Sequence, residues 1–187
     1  RPLAAMSEEG GLQAHLRNKF QDELSQPLQS VPLKAEQRFL FYCWIETLEH
    51  TGIRPWSSKN LAMKMTDIER RKPPSGEIQL FVKRNEKGHT YKAPATRYWI
   101  HTLNRLDAFY RARGLKKRKW LLCHSRDNPA MGVKKGDPVA SFKTAWNTAI
   151  RDLGFNDSHL PKNKRFTPYT IRHRVITRML VENPDLS

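Results

Sequence analysis

The chain has 187 residues and carries 34 Lys and Arg side chains against 18 Asp and Glu, a formal net charge of +16. This charge excludes an ordinary enzyme of small metabolites and favours a polyanionic partner, most simply nucleic acid, with an anionic membrane surface as the alternative. No run of about 18 apolar residues is present, so we expect no membrane-spanning segment. Cys43 and Cys123 stand far apart, which argues against a disulfide framework or a zinc finger and suits a reducing compartment.

The beginning of the chain is predicted to be an arm followed by a buried helix. Residues 1–30 mix Gln, Ser and a glycine pair, as expected of an arm or linker. Lys34–Glu49 has enough apolar residues for a mostly buried helix. Arg54 follows in a turn, which Pro55 keeps out of helical geometry. The alternative for Arg54 is a surface cation that meets the dipole at the end of the helix.

The middle of the chain is predicted to form a small antiparallel sheet. Turn residues separate short apolar runs there, a pattern typical of strands and hairpins. We predict a short helix over Lys59–Met65 and two strands over Asp67–Glu69 and Ile78–Val82. A hairpin turn over Asn85–Gly88 and a return strand over His89–Ala93 follow them. Lys87 then lies at the exposed tip of the hairpin, where a lysine is either solvated or used for chemistry.

Two further helices, a buried strand and two basic segments follow the hairpin. The helices are predicted over Thr96–Arg113 and Val139–Leu153, and the strand over Trp120–Cys123. The first basic segment is residues 116–119, and the second is the loop 156–166. Such runs are either solvated or bind phosphates.

The last predicted helix places an arginine on its apolar face. Thr167 is a good N-cap, and Pro168 suits the first helical position. Arg172 falls in the middle of the arc formed by Ile171, Val175, Ile176, Met179 and Leu180. A guanidinium on such a face needs an anion, which is either an internal carboxylate or a bound phosphate.

Three features in this order resemble the catalytic domain of the tyrosine recombinases, also called the phage integrase family. They are Arg54 in Thr-Gly-Ile-Arg-Pro, Lys87 at the hairpin tip, and Arg172 in Thr-Pro-Tyr-Thr-Ile-Arg-His. The resemblance runs from about Pro32 to the end of the chain. It implies an α+β, mainly α fold with a small antiparallel sheet, and a recombinase catalytic domain over 31–187 that lacks its C-terminal end.

The resemblance also implies the chemistry of DNA strand cleavage and rejoining without a metal or other cofactor. A tyrosine attacks the scissile phosphate and forms a 3′-phosphotyrosyl link. Arg54 and Arg172 match the two arginines that hold the negative charge of the transition state. Lys87 matches the lysine that protonates the leaving 5′-oxygen, with Lys83 as the weaker candidate. Tyr169 occupies the position of a supporting histidine.

The sequence departs from the family pattern in three places. Ser57 stands where an acidic residue usually supports the first arginine, and Tyr169 replaces the histidine. Only 15 residues follow Arg172, and none of them is a tyrosine that could act as the nucleophile. We therefore expect either a truncated piece of an active recombinase or a DNA-binding relative that does not cleave. An unrelated basic RNA-binding or ribosome-associated protein is the third hypothesis.

The resemblance implies double-stranded DNA as the partner, a homotetramer on that DNA, no membrane, and a bacterial cytoplasm in association with the nucleoid. Basic residues outside the catalytic set are predicted to contact DNA phosphates. They are Arg70, Arg71, Lys72, Lys116, Lys117, Arg118, Lys119, Lys162, Lys164 and Arg165.

Overall fold

The computed structural model describes residues 33–56, 58–74, 76–86, 89–155 and 159–182. About half of these residues are helical, and a three-stranded antiparallel sheet accompanies the helices. The mixed class and the small sheet confirm the coarse prediction. The predicted arm 1–30 and the positions of Ser57 and Lys87 lie outside the described residues.

The described part contains four α-helices and three strands. The helices are α1 (Leu33–Thr51), α2 (Trp99–Ala112), α3 (Lys143–Asp152) and α4 (Pro168–Glu182). The strands are β1 (Ile68–Arg71), β2 (Gln79–Glu86) and β3 (His89–Ala95). Each helix lies within a few residues of its predicted bounds, and the return strand extends two residues beyond its prediction. Strand β2 continues to Glu86, so Asn85 and Glu86 are strand residues and not part of the predicted turn.

The chain divides into two compact units. Among the described residues, unit 1 comprises 33–45, 142–155 and 159–182. Unit 2 comprises 46–56, 58–74, 76–86 and 89–141. Helix α1 therefore contributes residues to both units.

The core of unit 1 is aromatic. Trp44, which is 2% exposed, lies 5.1 Å from the ring of Phe142 and 6.4 Å from that of Trp146 between ring centroids. Phe155 and Phe166 stack at 5.3 Å. Packing of this kind stabilises a core beyond the area it buries. Trp44 and Trp146 are therefore core residues of unit 1.

Helix α4 buries a narrower strip than its sequence predicts. Ile171 and Val175 are fully buried, whereas Ile176 and Leu180 are 36% and 39% exposed. The two buried residues are one turn apart, so the buried strip is a single row along the helix. The expectation that Ile176 and Leu180 face the core is therefore wrong.

The sheet of unit 2 has the order β1-β2-β3, with both pairs antiparallel. Side chains alternate along β2, so that Leu80 and Val82 are buried and Phe81 and Lys83 lie on the opposite face. Arg84 shares the buried face and donates a hydrogen bond of 3.0 Å to a backbone carbonyl. One face of the sheet thus belongs to the core, and the other carries charged residues.

The segment Trp120–Cys123 is not a strand, which corrects the prediction, although Leu121, Leu122 and Cys123 are buried and Trp120 is half-buried. Trp120 forms an isolated bridge with Lys64, and Cys123 forms another with Pro138. Because the two partners come from different segments of the chain, no continuous ladder can form. The predicted helix Lys59–Met65 is also replaced by two 3-10 turns, Lys59–Leu61 and Met65–Asp67.

Tyr110 joins helix α2 to this buried segment. Its hydroxyl donates to the Cys123 carbonyl at 2.8 Å and accepts from the Cys123 amide at 2.7 Å. Burial raises the pKa of Tyr110 well above its usual value, so the phenol stays neutral and keeps both bonds.

We predict that Tyr110→Phe destabilises the protein by about 1–3 kcal/mol, because the Cys123 amide and carbonyl lose their partner inside the core. The free energy of unfolding, measured by urea denaturation, checks this value. Tyr98→Phe is the matched control, since Tyr98 is 57% exposed and should tolerate the change. Equal effects of the two substitutions would contradict the structural role of the Tyr110 hydroxyl.

Candidate nucleic-acid interface

Arg54 lies in a well-fixed turn of unit 2. Gly52 ends helix α1 with a φ of 61°, a left-handed conformation that glycine adopts without strain. Ile53 and Trp56, on either side of Arg54, are 1% and 3% exposed. The Trp56 indole donates to the Val139 carbonyl at 3.2 Å. The backbone that carries the half-buried Arg54 is therefore held from both sides.

The hairpin between β2 and β3 pairs as far as Glu86 and His89. Lys87 follows Glu86 directly and lies outside the described residues. Lys83, the weaker candidate for its role, is paired across the hairpin with Lys92, and its side chain is 55% exposed.

The outer face of the sheet carries a cluster of cations around one carboxylate. Glu69 Oε1 lies 2.5 Å from Arg71 Nε. Glu69 Oε2 lies 2.5 Å from Lys92 Nζ and 3.5 Å from Lys83 Nζ. The Phe81 ring lies beneath Arg71 and Lys92 at 4.9 Å and 5.0 Å. Hydrogen bonds from Lys92 and Arg71 lower the pKa of Glu69 from 4.5 to about 2. Three cations around one carboxylate leave this face with an excess of positive charge.

Arg118 has a different setting from its basic neighbours. Its side chain is only 4% exposed, and it donates to Asp107 at 2.8 Å and to the Leu121 carbonyl at 3.4 Å. The guanidinium lies over the Tyr110 ring at 4.5 Å. Arg70 approaches the second oxygen of Asp107 at 3.9 Å. Arg118 therefore holds the basic segment against helix α2 from inside unit 2.

The neighbours of Arg118 face solvent. Lys119 and Lys64 lie over the Trp120 ring, with their amino groups 5.0 Å and 5.9 Å from its centroid. The predicted phosphate contacts of unit 2 that have exposed side chains are Arg70, Arg71, Lys72, Lys116, Lys117 and Lys119. Their exposed side chains can meet the phosphates of a nucleic acid.

Unit 1 carries the other candidates. On helix α4, Tyr169 is 49% exposed and Arg172 is half-buried, three residues further along the helix. The basic loop before it contains the turn Lys162–Lys164, which is exposed. Arg165 is exposed as well and donates to the Leu160 carbonyl at 2.9 Å.

The four catalytic candidates fall in three places. Arg54 belongs to unit 2, and Tyr169 and Arg172 lie together in unit 1. Lys87 lies outside the described residues. The convergence of Arg54 and Arg172 on one phosphate stays a prediction.

Sequence reasoning missed two carboxylates that organise the basic residues. Glu69 and Asp107 were each assigned to an element, but neither was given a role. Asp107 stands four residues before Arg111 on α2, so the helical period puts both on one face. Glu69 lies opposite Phe81 in the antiparallel pairing of β1 with β2. The alternation of side chains along the strands could have indicated that Glu69 lies on one face of the sheet with the charged residues.

A comparison with protein-family profiles, curated proteins and solved structures found no significant match to this chain. Within the described residues, no helix is both long enough and apolar enough to span a bilayer. The same residues contain no group of three or more His, Cys, Asp or Glu side chains arranged to hold a metal ion.

We predict that the Glu69 carboxyl titrates near pH 2 and that Lys92→Gln moves its pKa towards 4.5, because Lys92 makes the largest contribution to the shift. The stabilisation that Glu69 provides is then complete above about pH 4.5 and is lost as the pH falls towards 2. Carboxyl chemical shifts followed by NMR measure both pKa values. A wild-type midpoint near 4.5 would contradict the cluster.

Proposed function

We propose that the chain is the catalytic domain of a site-specific DNA recombinase of the tyrosine recombinase type. It would act on double-stranded DNA by cleavage and rejoining through a 3′-phosphotyrosyl intermediate. The nucleophilic tyrosine would be encoded after Ser187. The full protein would work as a homotetramer on DNA in the bacterial cytoplasm.

The observation that carries this proposal is the order of elements around the candidate residues. Arg54 follows a buried helix and precedes a three-stranded antiparallel sheet. The turn between β2 and β3 is the position of Lys87, and Arg172 follows on the last described helix. The resemblance implies this order, and the agreement supports it.

The proposed chemistry assigns a role to each candidate. Arg54 and Arg172 would each donate two hydrogen bonds to the phosphate whose charge grows during the attack by tyrosine. Lys87 would protonate the leaving 5′-oxygen, so that the oxygen departs as a neutral hydroxyl. Tyr169 would donate a hydrogen bond to the same phosphate through its phenolic hydroxyl.

The exposed basic residues that are predicted above to contact phosphates would hold the duplex by its backbone. Contacts with phosphates release bound counterions, so they give affinity without reading sequence. Arg118 is not among these contacts, because its guanidinium is occupied by Asp107 and covered by the rest of unit 2.

We predict that Lys162→Gln combined with Lys164→Gln makes the negative slope of log K against log salt less steep by about 2, because each lost phosphate contact removes about 0.9 from its magnitude. Both lysines are exposed. Fluorescence anisotropy of a labelled duplex at several salt concentrations gives the slope. Lys59→Gln combined with Lys134→Gln serves as the control for charge alone. An equal loss of steepness in both variants would show that Lys162 and Lys164 make no specific contact.

A relative that binds DNA without cleaving it is the second candidate function. Its specific support is Tyr169, a 49% exposed phenol at the position where the family has histidine. Phenols are poor general bases near neutral pH. A basic RNA-binding protein, the third hypothesis, gives no special role to Arg54 or Arg172.

The deciding experiment uses the protein expressed from the complete open reading frame and a nicked suicide substrate, which traps the covalent intermediate. The proposal predicts a covalent adduct on denaturing gels. Binding of the same duplex without any adduct would favour the non-cleaving relative, and preference for RNA would favour the third hypothesis.

In the same assay, we predict that Arg54→Ala and Arg172→Ala each lower adduct formation by at least about a hundredfold, since each removes charge stabilisation at the phosphate. Duplex affinity should change by less than about threefold, because one phosphate contact among many is lost. Lys134→Ala in unit 2 and Arg151→Ala in unit 1 are exposed controls. Equal losses in all four variants would contradict the assigned roles.

A further inference from the structure

Unit 2 contains a cleft of about 490 Å³ with a basic lining. Its walls are Met65 from a 3-10 turn, two residues of helix α2, and three consecutive residues of the basic segment. The polar lining residues are Asp107, Arg111, Lys116, Lys117 and Arg118. The Met65 amide donates to the Lys119 carbonyl at 2.9 Å, which joins the 3-10 turn to the basic segment.

One cation of the cleft is fixed before any ligand arrives. Arg118 is held by Asp107 at 2.8 Å and lies on the Tyr110 ring at 4.5 Å. That ring is fixed in turn by the two hydrogen bonds between its hydroxyl and Cys123. A cleft wall that is ordered beforehand loses little conformational entropy when an anion binds to the exposed cations beside it.

The remaining cations of the cleft are not neutralised by the one carboxylate there. Asp107 is already shared between Arg118 and Arg70. Arg111, Lys116 and Lys117 are exposed and form no ion pair with any residue that the structure describes. Four cations and one carboxylate leave a formal excess of three positive charges on the lining. A bound anion would relieve the repulsion among them.

We propose that this cleft, whose lining includes neither Arg54 nor Arg172, is a phosphate-binding site. Arg111 offers planar N–H groups suited to two oxygens of one phosphate, and Lys116 and Lys117 add mobile donors. Arg118, occupied by Asp107, holds the wall of the cleft in place. The phosphate can belong to the backbone of DNA or to a free phosphorylated ligand. The DNA source rests on the proposed function, whereas phosphate binding itself stands without it.

The apolar wall favours a phosphate attached to a larger molecule. Met65 lies on one side of the cleft, and the Trp120 ring, packed against Lys64 and Lys119, belongs to the adjoining segment. A sugar or base carried by the phosphate would meet the Met65 side chain instead of water. Nucleic-acid sites commonly combine cations with apolar and aromatic groups in this way.

The test measures the binding of inorganic pyrophosphate and of a double-stranded oligonucleotide by isothermal titration calorimetry. The cleft variant combines Arg111→Gln with Lys117→Gln and leaves the buried Arg118 intact. The control variant, Lys59→Gln with Lys134→Gln, removes the same charge from exposed residues of unit 2 outside the cleft. Circular dichroism should show both variants folded, since all four side chains are exposed.

We expect the cleft variant to bind pyrophosphate at least about tenfold more weakly than the control variant, because two charge-assisted contacts are lost. A parallel loss of duplex affinity would identify the DNA backbone as the source of the phosphate. Loss of pyrophosphate binding with unchanged duplex affinity would support the site with a free phosphorylated ligand. Equal affinities of the two variants for both probes would overturn the proposal.

These outcomes do not depend on strand cleavage. The covalent-adduct assay tests the recombinase chemistry at Arg54 and Arg172, whereas the pyrophosphate titration tests only the cleft. A cleft that binds pyrophosphate in a protein that forms no adduct would refute the proposed function alone. An adduct without a phosphate site would refute the cleft alone.

Discussion

A buried guanidinium needs an anion, and the contact between Arg118 and Asp107 meets this need in unit 2. The contact joins the basic segment to helix α2 with the Tyr110 ring beneath it. Because Asp107 already pairs with Arg118 and Arg70, its negative charge does not neutralise the other cations around it. This ion pair thus makes Arg118 a structural residue and leaves its exposed basic neighbours available to a polyanion.

Much of the fold could be predicted from local patterns. Helix α1 was predicted within two residues at each end, since its apolar residues are dense and Gly52 ends it with a positive φ. The hairpin was found from its turn residues. The error at Trp120–Cys123 has a different cause, because its bridges depend on residues distant in sequence, which a run of apolar residues does not specify.

The candidate site was predictable in its parts and not in its long-range contacts. The sequence indicates that Arg54 follows a helix and that Arg172 lies on one, and both are observed. It could not indicate that Arg118 is buried, because residues 116–119 look alike as a basic run. Burial of one member depends on an aspartate eleven residues earlier and on the ring of Tyr110.

The proposed function requires two arginines distant in sequence to serve one phosphate. A crystal structure of the protein bound to duplex DNA measures this most directly. The account predicts that the guanidinium groups of Arg54 and Arg172 donate hydrogen bonds to oxygens of the same backbone phosphate. Guanidinium groups that are each paired with a carboxylate of the protein, or that contact different phosphates, would contradict it.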